Sequence, residues 1–396
     1  MSSSSSQPLA GRRIWIAGIG GAGMSSYALL ADAWGAEVAG WDRVDTPYLQ
    51  HLDGLEIEIG PEPPKPPAGW EVYVSTAFAG RVEGRARADL LAELVSLRRA
   101  IVVAGAHGKT TTSAMIAFCL QRLGQDPAFL IGGDVPQLGG NAGAGRGWLV
   151  VEGDESDGTV AHLRPEIAVL LNVDVDVHHA DVGTRSSLAQ MFDEWLSHAP
   201  HVVRGDRLEP VALELSVPGE HNRRNAAAAL AALELAGVAR KDAERVIVEF
   251  TGAGRRLEEK GEAGGVRVLD SYAHHPAEIA ADIAALGDRV IALFQPHLYS
   301  RTQYLAHGFA AALAEAHAAC ITDVYPAREE PIDGVDGKVI VEELAAVRPG
   351  MRIGWAPEPE DAARVVAGWA RPGDVVVTLG AGDVDRVAPL LLELLA

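Results

Sequence analysis

Short apolar runs alternate with longer Ala- and Leu-rich stretches of helical periodicity along nearly the whole chain. Such runs predict buried strands, and their alternation with helices is typical of parallel α/β layers. We expect strands at residues 13–17, 37–40, 71–74, 100–103, 148–151, 167–172, 201–204, 266–269, 290–294, 319–323 and 375–379, and helices at 86–99, 111–123 and 222–236. The alternation falls into three blocks, which predicts an α/β chain with domains at residues 1–98, 99–260 and 261–396.

The most informative segment follows the apolar run at residues 100–103, where a glycine-rich turn leads through Lys109 and Thr110 into a helical pattern. A phosphate-binding loop needs this order of strand, turn and helix, because backbone N–H groups and the helix N-terminus surround the phosphates. The lysine then reaches the β- and γ-phosphate oxygens, and the first hydroxyl holds Mg²⁺. Val103 stands where the usual pattern has a glycine, so the loop is a variant with Gly105 as its other flexible point. The segment predicts binding of a nucleoside triphosphate.

A second glycine-rich turn, at residues 18–23, follows the first predicted strand, and Asp42 ends the next strand. This spacing matches dinucleotide-binding units, in which a diphosphate lies at the helix N-terminus. Alone it favours NAD as much as any other nucleotide. The added Gly21 and the phosphate loop downstream weaken the NAD interpretation, so the turn predicts a diphosphate site whose nucleotide stays open.

Glu152 directly follows the predicted strand at residues 148–151, where enzymes with a phosphate loop hold Mg²⁺. The alternative is that the whole acidic run at residues 152–157 forms a solvated loop. Further polar side chains follow other predicted strands or open helices, and ligands are expected at the carboxyl ends of parallel strands. These clusters lie at residues 172–179, 218–225, 254–256, 270–276 and 295–301.

Composition limits the partners of the chain. A formal net charge of -20 over 396 residues argues against a nucleic-acid backbone, so anionic nucleotides must be held by local groups. The two cysteines, Cys119 and Cys320, lie far apart in apolar segments, which suits a reducing compartment. The N-terminal serine tract has no apolar core, and no apolar run reaches membrane-spanning length. We expect a cytoplasmic protein without a membrane partner.

Taken in order, these segments resemble the Mur ligases across almost the whole chain. The matching segments are GIGGAGMS (18–25), AHGKTTT (106–112), EGDESDG (152–158), PGEHNRRN (218–225), GAGRRLE (252–258), DSYAHHPAEI (270–279), FQPHLYSRT (294–302), VYPAREEPIDGV (324–335) and TLGAGDV (378–384). The resemblance implies a Rossmann-like N-terminal domain for a UDP sugar, a central ATPase domain with the phosphate loop, and a Rossmann-like C-terminal domain. The resemblance also implies that the first glycine motif binds the diphosphate of UDP and not NAD.

The implied activity is ATP-dependent amide formation in peptidoglycan precursor synthesis. ATP phosphorylates the lactyl carboxylate of UDP-N-acetylmuramate, and the amine of L-alanine attacks the acyl phosphate. Positioning and electrostatics supply most of the rate in phosphoryl transfer, which suits Lys109 and the loop amides. The implied cofactors are ATP and Mg²⁺, the partners are these small substrates without nucleic acid, and the enzyme is a monomer or homodimer.

The resemblance assigns site residues by role. It implies that the catalytic residues are Lys109, Arg256, His274 and Arg301. The implied ATP-binding residues are Gly105, His107, Gly108, Lys109, Thr110, Thr111, His221, Asn222, Asn225 and Asp270. The implied UDP-sugar residues are Gly18, Gly20, Gly21, Gly23, Met24, Ser25, Asp42 and Ser75, and the implied metal ligands are Thr110, Glu152 and His178.

Two alternatives stay open at this point. A ligase that recycles a murein tripeptide onto the same UDP sugar shares the phosphate loop and the mechanism. A non-catalytic nucleotide-binding homologue is suggested by three departures from the family pattern: Val177 where the family has a histidine, Leu298 where it commonly has an arginine, and a short segment at residues 204–216. The intact phosphate-loop lysine and Glu152 speak against the second alternative. A dehydrogenase would leave the phosphate loop unexplained.

Overall fold

Three β-sheets organise the chain in the computed structural model, which describes residues 7–155, 158–173, 185–327 and 329–396. The predicted α/β class is confirmed. The described residues form two compact units. One contains the described part of residues 7–214 together with 224–250, and the other contains residues 215–223 and 251–396. The boundaries predicted at residues 98 and 260 stay a prediction.

The first sheet is wholly parallel, with strand order β3-β2-β1-β4-β5. Its strands are β1 (Arg13–Ala17), β2 (Glu37–Asp42), β3 (Glu56–Ile59), β4 (Glu71–Val74) and β5 (Arg85–Ala86), and its helices are α1 (Ala22–Ala33) and α2 (Arg87–Ser96). The central strand β1 is buried from Ile14 onward, which places the glycine turn at the end of a rigid strand.

The second sheet has the order β11-β10-β6-β9-β7-β8 and is parallel except for its edge strand β8. Its strands are β6 (Ala100–Ala104), β7 (Ala128–Leu130), β8 (Ala142–Ala144), β9 (Leu149–Glu152), β10 (Ile167–Leu170) and β11 (His201–Arg204). The helices are α3 (Lys109–Arg122), α4 (Arg185–Ser197), α5 (Glu220–Leu235) and α6 (Arg240–Ile247). Because β9 and β10 flank β6, their carboxyl ends lie on either side of the phosphate loop.

The third sheet has the order β12-β13-β17-β14-β15-β16, with β12 as an antiparallel edge. Its strands are β12 (Glu258–Ala263), β13 (Val266–Ser271), β14 (Val290–Phe294), β15 (Ala318–Ile321), β16 (Arg352–Trp355) and β17 (Val375–Leu379). The helices are α7 (Pro276–Leu286), α8 (Tyr299–Leu313), α9 (Lys338–Val347), α10 (Pro359–Trp369) and α11 (Ala388–Leu395). Apolar clusters cover both faces of this sheet, as parallel sheets require.

Cys119 and Cys320 are both buried and not disulfide-bonded. Within the described ranges, no helix combines the length and the apolar character needed to cross a bilayer.

A glycine inside the first sheet should be intolerant of any side chain. Gly40 pairs with Ile16 of β1, and a Cβ there would lie 2.6 Å from the Ile16 carbonyl oxygen. Because that oxygen is backbone, Gly40→Ala should lower the free energy of unfolding by about 1–3 kcal/mol, as measured by urea denaturation. Gly60→Ala is the matched control, since a Cβ there meets nothing within 4 Å. Equal unfolding midpoints for the two variants would contradict this packing.

Candidate active site

The glycine turn after β1 is held by Asp42 and Ser75. Gly18 has φ +82°, and a Cβ on it would overlap the Ser75 hydroxyl. The Gly20 N–H donates to the Asp42 carboxylate at 2.8 Å, and the Thr46 hydroxyl donates to the Gly20 carbonyl at 2.7 Å. Asp42 therefore supports the turn directly.

The helix that follows this turn begins without a capping side chain. Gly21 is the N-cap of α1 and makes no side-chain cap hydrogen bond, so first-turn N–H groups face outward as an anion site requires. Gly23 lies in that first turn, whereas Met24 and Ser25 are buried beneath it. The Ser25 hydroxyl donates to the Ala22 carbonyl at 3.1 Å. The binding roles of these residues stay a prediction.

The phosphate loop has the two flexible glycines that its sharp turn needs. Gly105 has φ +134°, and Gly108 has φ +84° as the N-cap of α3. The Asn172 side chain binds both backbone groups of His107, accepting from its N–H and donating to its carbonyl, each at 2.9 Å. A Cβ on Gly108 would overlap the Asn225 amide, so α5 approaches the loop closely. Asn172 thus fixes the phosphate loop. Its position after a strand suggests a role at this edge of the sheet, but the sequence does not show that its partner is His107.

Lys109 folds back over the loop and pairs with a carboxylate. Its Nζ donates to the Gly105 carbonyl at 2.7 Å and to Glu155 at 3.0 Å. Burial alone would lower the pKa of Lys109, but the negative charges of Glu155, Glu152 and Asp154 outweigh it and raise the pKa. The lysine is therefore an ammonium ion, as contact with phosphate oxygens requires.

Thr110 and Glu152 form a pair of oxygen donors beside the lysine. The Thr110 hydroxyl donates to the Glu152 carboxylate at 3.0 Å, and the Gly132 N–H donates to the other carboxylate oxygen at 2.7 Å. Two oxygen donors suit Mg²⁺, which keeps several waters and needs few protein ligands. No group of three His, Cys, Asp or Glu side chains suited to a metal occurs among the residues that the structure describes. His178, the further predicted ligand, lies outside the described residues.

In the unit of the third sheet, Asp270 is fully buried at the end of β13. It accepts hydrogen bonds from Thr378 at 2.5 Å and from Arg255 Nε at 2.9 Å. Burial raises its pKa, although Arg255 and Thr378 oppose the shift. Arg255 also donates to the carbonyls of Gly380 and Gly382, at 2.7 and 2.8 Å. Sequence reasoning selected the neighbouring Arg256 and missed this role of Arg255.

Arg256 and His274 share Glu278 on α7. The Arg256 guanidinium lies 3.6 Å from the Glu278 carboxylate, which also accepts a hydrogen bond from the backbone N–H of His274 at 3.1 Å. The His274 Nδ1 lies 2.9 Å from the Tyr272 carbonyl, so Nδ1 carries the proton and Nε2 is the acceptor. Burial lowers the pKa of His274 to about 4, which keeps the ring neutral near pH 7.

Arg301 and Leu298 lie at the start of α8. Arg301 is buried in the first turn of the helix. Leu298 precedes the helix with φ +71° and is also buried, with its N–H donating to the Tyr325 carbonyl at 2.9 Å. The leucine side chain therefore packs into the protein at the position where the family commonly has an arginine.

The first turn of α5 brings His221 towards a buried carboxylate. The His221 Nε2 lies 4.0 Å from Asp282 of α7, and the Ser271 hydroxyl donates to Asp282 at 2.5 Å. Burial, followed by the charge of Arg256, lowers the pKa of His221. The neighbouring Asn222 donates to the Pro218 carbonyl at 2.6 Å, which fixes the entry to the helix. Asp282 was not predicted as a site residue, because it lies within an Ala-rich helix and belongs to no recognised motif.

The fold and the phosphate loop define a nucleotide-binding α/β protein with three sheets. Residues 255–382 match the family model described as Mur ligase, glutamate ligase domain. The chain is 37% identical to the UDP-N-acetylmuramate–L-alanine ligase of Renibacterium salmoninarum, over 97% of this chain and 96% of that protein. It is 36% identical to the enzyme of that name from Streptomyces griseus, over 98% of each. The chain belongs to the Mur ligase family.

Solved structures share the fold. The UDP-N-acetylmuramate-alanine ligase from Thermotoga maritima has a TM-score of 0.77 at 23% identity, covering 96% of this chain and 98% of that one. A murein peptide ligase from Psychrobacter arcticus has a TM-score of 0.63 at 24% identity, covering 97% and 99%. The alignment with the Renibacterium relative is 454 residues long against 396 here, so that relative contains residues that this chain lacks.

The partly buried Asp282 should make the free energy of unfolding depend on pH. Burial raises its pKa to about 7, against the opposing effects of Ser271 and Arg256 and with a smaller contribution from Glu278. The folded state then binds a proton that the unfolded state releases near pH 4, so this group's contribution to stability falls as pH rises from about 4 to 7. Asp282→Asn removes that loss, and urea unfolding should show the variant gaining stability relative to the wild type as pH rises from about 4 to 7. Asp288→Asn, the same change of charge at an exposed position of the same unit, is the matched control. A difference between Asp282→Asn and the wild type that does not change with pH would contradict the raised pKa.

Proposed function

We propose that this chain is an ATP-dependent ligase that joins L-alanine to the lactyl carboxylate of UDP-N-acetylmuramate. The observation that carries the proposal is the identity of 36–37% to ligases of that name over 97–98% of the chain. The lysine, threonine and glutamate of the phosphate-loop site support it, because they are the groups that phosphoryl transfer from ATP requires.

In the first step, a carboxylate oxygen of the sugar attacks the γ-phosphorus of ATP. The new O–P bond forms as the bond to the β-phosphate bridging oxygen breaks, and ADP leaves. The Lys109 ammonium and the loop N–H groups stabilise the negative charge on the transferring group. We propose that Thr110 and Glu152 hold Mg²⁺, which when bound neutralises phosphate charge.

In the second step, the amine of L-alanine attacks the acyl carbon, and inorganic phosphate leaves as the amine loses its proton. We propose that Arg256, His274 and Arg301 serve this step. A neutral His274 can face an alkylammonium ion without charge repulsion and accept a hydrogen bond at Nε2. Its tautomer is fixed in advance by the Tyr272 carbonyl, so the acceptor nitrogen is already oriented.

Further parts of the proposal concern the remaining nucleotide contacts and the cellular setting. His107, Thr111, His221, Asn222, Asn225 and Asp270 are proposed to contact ATP. The substrates are small molecules, and neither nucleic acid nor membrane takes part. We propose a cytoplasmic enzyme that acts as a monomer or homodimer, since its substrates and its free thiols suit that compartment.

Phosphate release tests the activity directly. With UDP-N-acetylmuramate, ATP and Mg²⁺, we expect release when L-alanine is present and little release without an amine. A murein tripeptide in place of L-alanine tests the recycling activity. Release only with the tripeptide would replace the proposed acceptor, and no release under any of these conditions would indicate a non-catalytic homologue.

Lys109→Ala should lower turnover by at least ~10²-fold, because it removes a charge donor to the transferring phosphoryl group. Steady-state phosphate release at saturating substrates measures the change. Lys241→Ala removes the same charge from an exposed position on α6 and should leave turnover unchanged. Near-normal turnover in the Lys109 variant would remove the lysine from the mechanism.

A further inference from the structure

Arg87, the first residue of α2, lies between two loops of the same compact unit. Its Nη1 lies 3.5 Å from the point that a Cβ on Gly23 would occupy, in the first turn of α1. Its Nη2 lies 3.5 Å from the Asp154 carboxylate, in the loop after β9. The side chain is 19% exposed. The guanidinium thus extends from the glycine turn to the acidic loop.

These two loops have different partners in the proposed reaction. The uncapped N-terminus of α1 suits the diphosphate of the UDP sugar. Glu152 at the end of β9 contacts Thr110, and Glu155 in the acidic loop contacts Lys109, where we propose that the γ-phosphate is transferred. A substrate with its diphosphate at the first loop and its reacting carboxylate at the second must span the distance between them. Arg87 is a cation placed along that span.

We propose that Arg87 binds the lactyl carboxylate of the sugar nucleotide and thereby selects it over UDP sugars that lack a carboxylate. This inference rests on the proposed function. A guanidinium offers two parallel N–H donors that match the two oxygens of a carboxylate, whereas a lysine would provide only a point charge. Arg87 orients the acid for attack on ATP and discriminates between substrates through the same contact.

Asp154 is one carboxylate partner of Arg87 in the structure. Their separation of 3.5 Å is long for a charged hydrogen bond, and the Asp154 side chain is 46% exposed. Such a pair contributes little and exchanges readily. The carboxylate of the substrate can therefore replace Asp154 while Arg87 keeps a negative partner.

Binding of two sugar nucleotides in the absence of ATP tests the assignment. UDP-N-acetylmuramate and UDP-N-acetylglucosamine differ by the lactyl ether, which carries the carboxylate. For Arg87→Ala, calorimetry should show about 10- to 100-fold weaker binding of UDP-N-acetylmuramate, the size expected for a lost charged hydrogen-bond pair. Binding of UDP-N-acetylglucosamine should change less than about 2-fold, which also shows that the variant is folded. Arg87→Lys should fall between wild type and Arg87→Ala, since it keeps the charge without the paired donors.

Arg85→Ala is the matched control. Arg85 lies two residues earlier, is 52% exposed and donates to the Tyr73 hydroxyl at 2.7 Å, so its loss should leave both affinities unchanged. Equal weakening of both ligands by Arg87→Ala would assign the arginine to the diphosphate and overturn the inference. Unchanged binding of both ligands would overturn it too.

If Arg87→Ala does not fold, the same two affinities measured for Arg87→Lys decide between these outcomes. Failure of the wild type to bind UDP-N-acetylmuramate would instead refute the proposed function.

Discussion

A partly buried ion pair between Lys109 and Glu155 sets the electrostatics of the phosphate loop. The chain carries a formal net charge of -20, so a site for anionic nucleotides cannot rely on a basic surface. Its cations are instead held close to carboxylates: Lys109 near Glu155, and Arg87 near Asp154. In the unit of the third sheet, Arg255 contacts Asp270 in the same manner. These carboxylates hold the cations in position, and Glu155 also favours the charged form of Lys109, which suits the contacts with phosphate and carboxylate that we propose.

Strand register explains why residues distant in sequence meet. In the second sheet, β6 pairs with β9 and β10, with Val103 opposite Glu152 and Ala104 opposite Leu170. The chain that leaves β6 into the phosphate loop therefore has Glu152 on one side and Asn172 just beyond the other. In the third sheet, Asp270 of β13 lies opposite Thr378 of β17, and these two residues share a buried hydrogen bond. Parallel pairing is thus the physical cause of both clusters.

The sequence predicts the strands and the phosphate loop better than the contacts between side chains. The buried strands β6 and β14 are apolar throughout, and β17 is apolar except for Thr378, so all three are easily recognised. The edge strands β3 and β12 were not predicted, because both are mostly exposed or half-buried and rich in glutamate. Arg255 rather than Arg256 contacts Asp270, and Arg255 has a backbone φ of +55°. The sequence pattern does not predict this backbone conformation. The partners of Lys109 and Arg87 lie on other strands and loops, so only the folded arrangement identifies them.

The ion pairs described above have a consequence for the response to salt. A bare basic site attracts dissolved anions, which an incoming nucleotide must displace, so its affinity falls steeply as ionic strength rises. Here the protein supplies its own counter-ions, as Asp154 and Glu155 are covalently part of the chain and cannot be diluted away. In the binding that we propose, the ligand replaces a carboxylate of the protein with another acidic group within a partly buried site. We therefore expect the affinity for substrates to fall less steeply with ionic strength than it would at a bare basic site.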